Sequence, residues 1–209
     1  MTNAKARLAA RTHDVALHYP YLHLYVVEVP NEPSTRARHD LAERLGRLAE
    51  RIGGPQVLRQ HEQEVPHAFR KLYQQMGLDP GVHLTPIDAV LQERIAYGMF
   101  RSMGLVDDAL KVALLETGVP VWAADSSALS GELVLQMPDV DPDAGRPSAV
   151  PFVADDRGTI APVGNAPDQP HAVGRKTKDL TLFALQCDGI STMHVQESLW
   201  LAQSLIYHQ

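Results

Sequence analysis

Patterns typical of helices and of strands occupy different parts of this chain. In the first half, one helical pattern has an apolar face, formed by Leu41, Leu45, Leu48 and Ile52. Another helical pattern begins with Thr85 as its N-cap and is expected to bury Leu91 and Ile95. Strand patterns dominate the middle of the chain, after an early apolar strand at Tyr21–Val29. Because helices and strands are segregated rather than alternating, we expect an α+β fold.

The later strands are interrupted by one long segment without periodicity. The stretches VPVWA, GELVLQ, PFVAD, TIAPV and LTLFALQC are typical of short strands. Between the last two lies GNAPDQPHAVGRKTKD, a loop of sixteen residues. Loops of this length inside a compact domain are more often functional than not, so the sequence directs attention to this loop.

The charge balance restricts the partners of the chain. A net charge of −6 argues against a dedicated nucleic-acid binder, because phosphate contacts require a basic face. A compact basic cluster nevertheless lies on the long loop and consists of Arg175, Lys176 and Lys178. These side chains are equally compatible with a solvated loop and with a local contact to a phosphate.

Several chemistries lack the residues that they need. Cys187 is the only cysteine, so the chain cannot form an internal disulfide or a cysteine-based zinc site, and we expect a small core residue there. The ten histidines include no HExxH pattern, and we expect neither a metal nor another cofactor. A secretory signal or membrane span is also not indicated, which favours a cytoplasmic protein without a membrane partner.

The serines that follow Asp125 are better explained by local structure than by nucleophilic catalysis. The sequence contains no G-x-S-x-G, P-loop or G-x-G-x-x-G motif. No base that could activate Ser126, Ser127 or Ser130 can be identified, and a capped turn before the next strand accounts for them.

Segments in the last two thirds of the chain, taken in order, resemble a known family. They read FRKLYQQMGLDP, LTPIDAVLQERI, LVDDALKVALLETGVPVWAAD, SSALSGELVL and VADDRGTIAPVGNAPDQPHAVGRKTKDLTLFAL. Their order and spacing resemble the B3/B4 editing module of the phenylalanyl-tRNA synthetase β subunit, and more closely its free-standing relatives. The resemblance is strongest over residues 69–207, and it predicts a single B3/B4-like domain over residues 1–209.

The resemblance implies a fold, a substrate class and a set of site residues. The fold would be a layered β/β/α domain with a pocket of amino-acid size between its strands. The family module hydrolyses an amino acid wrongly esterified to tRNA, so the implied partner is an aminoacyl-tRNA or a free amino-acid-like ligand. The implied catalytic residues are Thr177, His171 and Lys111. The implied substrate-binding residues are Trp122, Asp125, Gly118, Gly164, Asp168 and Gln169. Contact with the RNA would fall to Arg175, Lys176 and Lys178.

The chain departs from the family pattern at two polar positions. Trp122 stands where the family has a histidine, and Lys111 stands where it has an asparagine. An indole at this place either offers a stacking face to an aromatic ligand or fills the cavity of an inactive site. Lys111 either is buried as a base or carboxylate partner or faces solvent. Two alternatives to ester hydrolysis therefore stay open: a non-catalytic binder of amino acids or aromatic metabolites, and a repurposed small-molecule enzyme.

Overall fold

The computed structural model describes residues 4–31, 35–53, 63–138 and 150–207, without the side chains of residues 35–37. Within these ranges the chain is mixed α and β, as the sequence predicts. The strands are β1 (Arg7–Leu8), β2 (Ala10–Arg11), β3 (His23–Pro30), β4 (Val121–Asp125), β5 (Val134–Gln136), β6 (Phe152–Asp155), β7 (Gly158–Pro162) and β8 (Asp179–Gln186). The helices are α1 (His13–His18), α2 (Thr35–Arg51), α3 (Glu64–Gln75), α4 (Pro86–Tyr97), α5 (Leu105–Thr117) and α6 (Thr192–Ile206).

The first sheet has the strand order β1-β3-β8-β4 and is antiparallel throughout. Its two central strands, β3 and β8, pair along their whole length, from His23 opposite Gln186 to Pro30 opposite Asp179. Both strands are mostly buried because their residues are apolar on both faces, as expected for a sheet that is covered on both sides.

The second sheet has the order β2-β5-β6-β7. Its strands are short, and β6 and β7, which correspond to the predicted strand stretches PFVAD and TIAPV, form a hairpin with its turn at Asp156-Arg157. The N-terminal segment joins the two sheets, since β1 belongs to the first sheet and β2, two residues later, pairs with β5 of the second. These first strands and α1 have no clear sequence pattern and are not predicted.

Helices cover one face of the first sheet. Helix α6 packs on β8 and β3, α5 packs on α6, and α2 packs on α5. The N-cap of helix α6 is Ser191, whose side chain accepts a hydrogen bond from the His194 N–H. The helix buries Val195, Leu199, Ala202 and Ile206, whereas Met193 and Trp200 are exposed. The second sheet touches β3 through β2 and β5.

Helix α4 confirms one prediction and contradicts another. Thr85 is its N-cap, accepting a hydrogen bond from the Asp88 N–H, and Leu91 is buried. The predicted burial of Ile95 is wrong, because this side chain is 66% exposed. The last helical turn and the residues up to Met99 are exposed, so no described element packs on the apolar face at this end.

Candidate functional site

The long loop returns across the end of strand β4. The Asp125 N–H donates to the carbonyl of His171 at 2.9 Å, and Ala124 forms a β-bridge with Ala172. These contacts hold the middle of the loop beside the last residues of the strand. Two stretches separated by some fifty positions in the chain therefore form one surface.

Asp125 and Thr177 make the central contact of this surface. The Thr177 hydroxyl donates to Asp125 Oδ2 at 2.6 Å and accepts from the Gly174 N–H at 3.0 Å. The other carboxylate oxygen, Oδ1, accepts from the hydroxyl and the N–H of Ser127, at 2.6 and 2.9 Å. The hydrogen bonds from Ser127 and Thr177 lower the pKa of Asp125 because they stabilise its charged form. Asp125 is therefore an ionised acceptor, and the single proton of the Thr177 hydroxyl is already donated to it.

A second carboxylate, Asp155, lies close to His171. Its oxygens accept from three backbone N–H groups, those of Ser130, Arg157 and Gly158, at 2.8, 2.8 and 3.2 Å. Burial raises the pKa of Asp155, but these three donors and the nearby charge of His171 lower it more, so the net shift is downward. Asp155 is not among the site residues predicted from the sequence. Its position at the end of a strand, directly before a turn, is the signal that could have indicated a side chain that binds turn N–H groups.

Trp122 belongs to the sheet rather than to an open cavity wall. Its ring stacks on the ring of Phe183, which lies opposite it on β8. The ring centroids are 5.9 Å apart, and the angle between the ring planes is 21°. Only 7% of Trp122 is exposed. Val27 lines a cleft together with Leu199 of α6, so it points to the helix-covered face of the sheet. Residues that lie opposite each other on paired strands share a face of the sheet, and neighbouring residues along one strand point to opposite faces. Followed from Val27 across β8 to β4, the strand registers place Trp122 on the face opposite the helices.

Two hydroxyls lie beside the end of the same strand. Ser126 Oγ and Thr181 Oγ1 are 2.8 Å apart, and Thr181 is buried. Ser126 and Ser127 form the short helical turn after β4, which Asp125 caps, as expected from the sequence.

Lys111 lies elsewhere. Its ammonium donates to Glu93 Oε2 at 3.1 Å and to the carbonyl of Arg101 at 2.7 Å. Only 10% of the Lys111 side chain and 15% of the Glu93 side chain are exposed. Of the two possibilities left open by the sequence, Lys111 is the buried carboxylate partner, and it does not join the group around Asp125.

The two glycines of the predicted site have conformational roles. Gly118 ends α5 with φ of 76° and lies before the start of β4, at the opposite end of the strand from Asp125. Gly164 has φ of 92°, and its carbonyl accepts a 3.3 Å hydrogen bond from the Tyr73 hydroxyl. A side chain at Gly164 would collide with that hydroxyl.

The remaining predicted residues lie on the loop itself. Asp168 and Gln169 are exposed, and the Asp168 carbonyl accepts from the N–H groups of His171 and Ala172, which shapes the turn before the β-bridge. The basic side chains at 175, 176 and 178 are exposed and make no ion pair with a described residue. Asn31 fixes this end of the loop, since its side-chain amide donates to the Thr177 carbonyl at 2.8 Å.

Among the described residues, no three His, Cys, Asp or Glu side chains converge as metal ligands. No helix in the described ranges has the length and apolar character that crossing a bilayer requires. In comparisons with known proteins, no family model and no curated protein matches the chain.

Proposed function

We propose that this chain is a free-standing B3/B4-type domain that recognises the aminoacyl end of a mischarged tRNA and hydrolyses its ester. The observation that carries the proposal is the hydrogen bond between Thr177 and Asp125. It joins the strand and the loop whose sequences resemble the editing module, and it brings His171 and Trp122 into the same part of the molecule.

The arrangement of sheets and helices supports the proposal. The two sheets touch through β3, and α6 packs on the first sheet. This order is compatible with the layered β/β/α domain that the resemblance implies.

The proposed chemistry needs positioned groups rather than a covalent nucleophile. An aminoacyl ester is already reactive, so placing a water molecule beside its carbonyl supplies much of the rate increase. His171 is half-buried beside the ionised Asp155, and we assign it the role of general base for that water. Thr177 keeps one lone pair free after its contacts to Asp125 and Gly174, and this lone pair can accept a hydrogen bond from the water.

Ester release from mischarged tRNA tests the proposal. The purified protein is incubated with a panel of aminoacyl-tRNAs that includes tyrosine on the tRNA for phenylalanine, and the spontaneous rate is subtracted. We expect His171→Ala to lower the rate by about a hundredfold, as is typical for loss of a general base. The matched control is His67→Ala, an exposed histidine on α3, which is expected to have no effect. Release no faster than the spontaneous rate across the panel would overturn the proposal.

A non-catalytic binding function is the second candidate, and one observation favours it. The Thr177 proton is already donated to Asp125, and Lys111 is held by Glu93, so two of the three residues predicted as catalytic have their hydrogen atoms engaged. In this case a thermal-shift screen would show a rise in melting temperature with one class of amino acid or aromatic compound, without any ester hydrolysis. An equal response to all compounds would exclude this candidate.

A further inference from the structure

A cleft lies on the other side of the loop turn that carries Thr177. Its volume is about 420 Å³, which is within the usual range for small-ligand sites. Arg38 of α2 and Arg175 of the loop both line it, and its floor is the start of α5 at Gly104 and Leu105. Three elements far apart in sequence therefore form one concave surface.

The two arginines of the cleft have no carboxylate partner among the described residues. This distinguishes them from Arg44, which binds both oxygens of Glu116, and from Arg70, which pairs with Asp88. Two guanidinium groups that line one cleft without an acceptor are suited to an anion with several oxygens, of which phosphate is the common biological example.

The start of α5 also lines the cleft. Gly104 is the N-cap of α5 and has no side chain to accept hydrogen bonds from the first helical N–H groups. Asp107 and Asp108 lie in the first turn of this helix and already complement the positive end of its dipole. The preference for a negatively charged ligand group therefore comes from the two arginines, and the helix start offers backbone N–H donors.

Two other lining residues indicate more than a bare anion. Asp107 lines the cleft, and its carboxylate would repel a free phosphate but accept hydrogen bonds from ribose hydroxyls. Met103 also lines it and is 69% exposed, so its thioether can pack on the face of a base. Arginines, a carboxylate and an exposed apolar side chain together fit the phosphate, ribose and base of one nucleotide.

The cleft and the proposed aminoacyl site share a wall. Val173, Gly174 and Arg175 line the cleft, while the Gly174 N–H donates to the Thr177 hydroxyl on the other side of the turn. Asn31 also lines the cleft and donates to the Thr177 carbonyl. A group bound in the cleft is therefore one backbone turn away from Thr177.

We propose that this cleft binds the 3′-terminal ribonucleotide of the RNA, with its phosphate between Arg38 and Arg175 and a ribose hydroxyl on Asp107. This inference rests on the proposed function, because the aminoacyl ester is attached to the ribose of that nucleotide. The cleft adds Arg38, Asp107 and Met103 to the residues that would bind the RNA, and none of these three is indicated by a sequence motif.

Titration of the isotopically labelled protein with 5′-AMP, monitored by amide NMR, tests the location. We expect shifts at Gly104 and Gly174, and at least tenfold weaker binding of adenosine or inorganic phosphate alone. The double variant Arg38→Ala/Arg175→Ala is expected to bind 5′-AMP at least about tenfold more weakly, since each charged hydrogen bond lost contributes that much or more.

The matched control is Arg47→Ala/Arg51→Ala. It removes the same charge from two exposed arginines that lie on α2, the helix that also carries Arg38. The control is expected to bind 5′-AMP as the wild type does. Equal binding by both double variants, or shifts confined to other parts of the chain, would overturn the inference.

Ester hydrolysis measured on the same proteins separates this inference from the proposed function. If 5′-AMP binds in the cleft and no aminoacyl-tRNA is hydrolysed, the nucleotide site stands and the deacylase proposal fails. If hydrolysis occurs at the wild-type rate in Arg38→Ala/Arg175→Ala, the deacylase proposal stands and the cleft is not its nucleotide site. Loss of kcat/KM in that variant, but not in Arg47→Ala/Arg51→Ala, supports both.

Discussion

The contact between Thr177 and Asp125 can be removed by a change that hardly alters shape. Thr177→Val replaces the hydroxyl by a methyl group and deletes the 2.6 Å hydrogen bond to Asp125 Oδ2. A hydrogen bond to a charged group contributes about 1.5–3 kcal/mol to stability. The second lost contact, to the Gly174 N–H, adds little because Gly174 is exposed and water can replace the hydroxyl. We therefore expect the free energy of unfolding to fall by about 1.5–3 kcal/mol.

Thr181→Val is the matched control for this change. Thr181 is as deeply buried as Thr177, at 4% against 6% exposed. Its hydroxyl pairs with that of Ser126, and a hydrogen bond between two neutral groups contributes about 0.5–1.5 kcal/mol. Urea unfolding of both variants at pH 7, with unchanged m-values, compares the two contacts directly.

The dependence on pH distinguishes the charged contact from the neutral one. The hydrogen bonds from Ser127 and Thr177 lower the pKa of Asp125 in the folded protein. Its carboxylate therefore stabilises the fold above the unfolded pKa of about 3.9, and this stabilisation is lost as the pH falls toward the lowered folded value. The difference between wild type and Thr177→Val should be full at pH 7 and should shrink below about pH 4. A loss under about 0.5 kcal/mol at pH 7, or an equal loss at pH 7 and pH 3, would refute this reasoning.

Three other substitutions or reactions test separate features of the structure. Gly164→Ala is expected to lower the unfolding free energy by about 2–4 kcal/mol, because φ of 92° strains alanine and the new Cβ would meet the Tyr73 hydroxyl. Adding Tyr73→Phe to this variant should restore only part of the loss, since the new Cβ would also lie 2.9 Å from the Cζ carbon of the Tyr73 ring. Lys111→Met should cost about 1.5–3 kcal/mol in urea unfolding, because Glu93 loses the ammonium and keeps Arg101 as its remaining charge partner. Ester hydrolysis per folded molecule should stay unchanged, and a selective loss of hydrolysis would instead make Lys111 catalytic. Burial raises the pKa of Cys187 to about 12, so a thiol reagent at pH 8 should label it only after unfolding, and rapid labelling of the folded protein would contradict its burial.

The parts of the fold that were predictable are those with a strong local signal. The Thr85 cap followed by Pro86 locates the start of α4, and the largely apolar run at 180–187 locates β8. Strands β1 and β2 have two residues each, which is too short for any periodicity. They form because β3 and β5 already present unpaired edges, and that is a tertiary property.

The site was partly predictable for a similar reason. Asp125 and Thr177 were selected because their segments resemble a family, and the hydrogen bond between them depends on a loop path that no local pattern encodes. Asp155 was missed because its three N–H donors come from a turn and from Ser130, a residue distant in sequence. For Lys111 the sequence left open a buried base or carboxylate partner and a residue that faces solvent, because helical periodicity does not tell which neighbouring helix supplies a partner, here Glu93.

The turn from Gly174 to Thr177 explains how two proposed subsites can depend on a single contact. One of its sides lines the nucleotide cleft, and the other presents the hydroxyl that binds Asp125. Because the Gly174 N–H donates to that hydroxyl, the position of Arg175 depends on the same hydrogen-bonded turn. Loss of the Thr177 hydroxyl should therefore weaken 5′-AMP binding as well as ester hydrolysis, although Thr177 does not line the cleft. Independent subsites would instead leave 5′-AMP affinity unchanged in Thr177→Val.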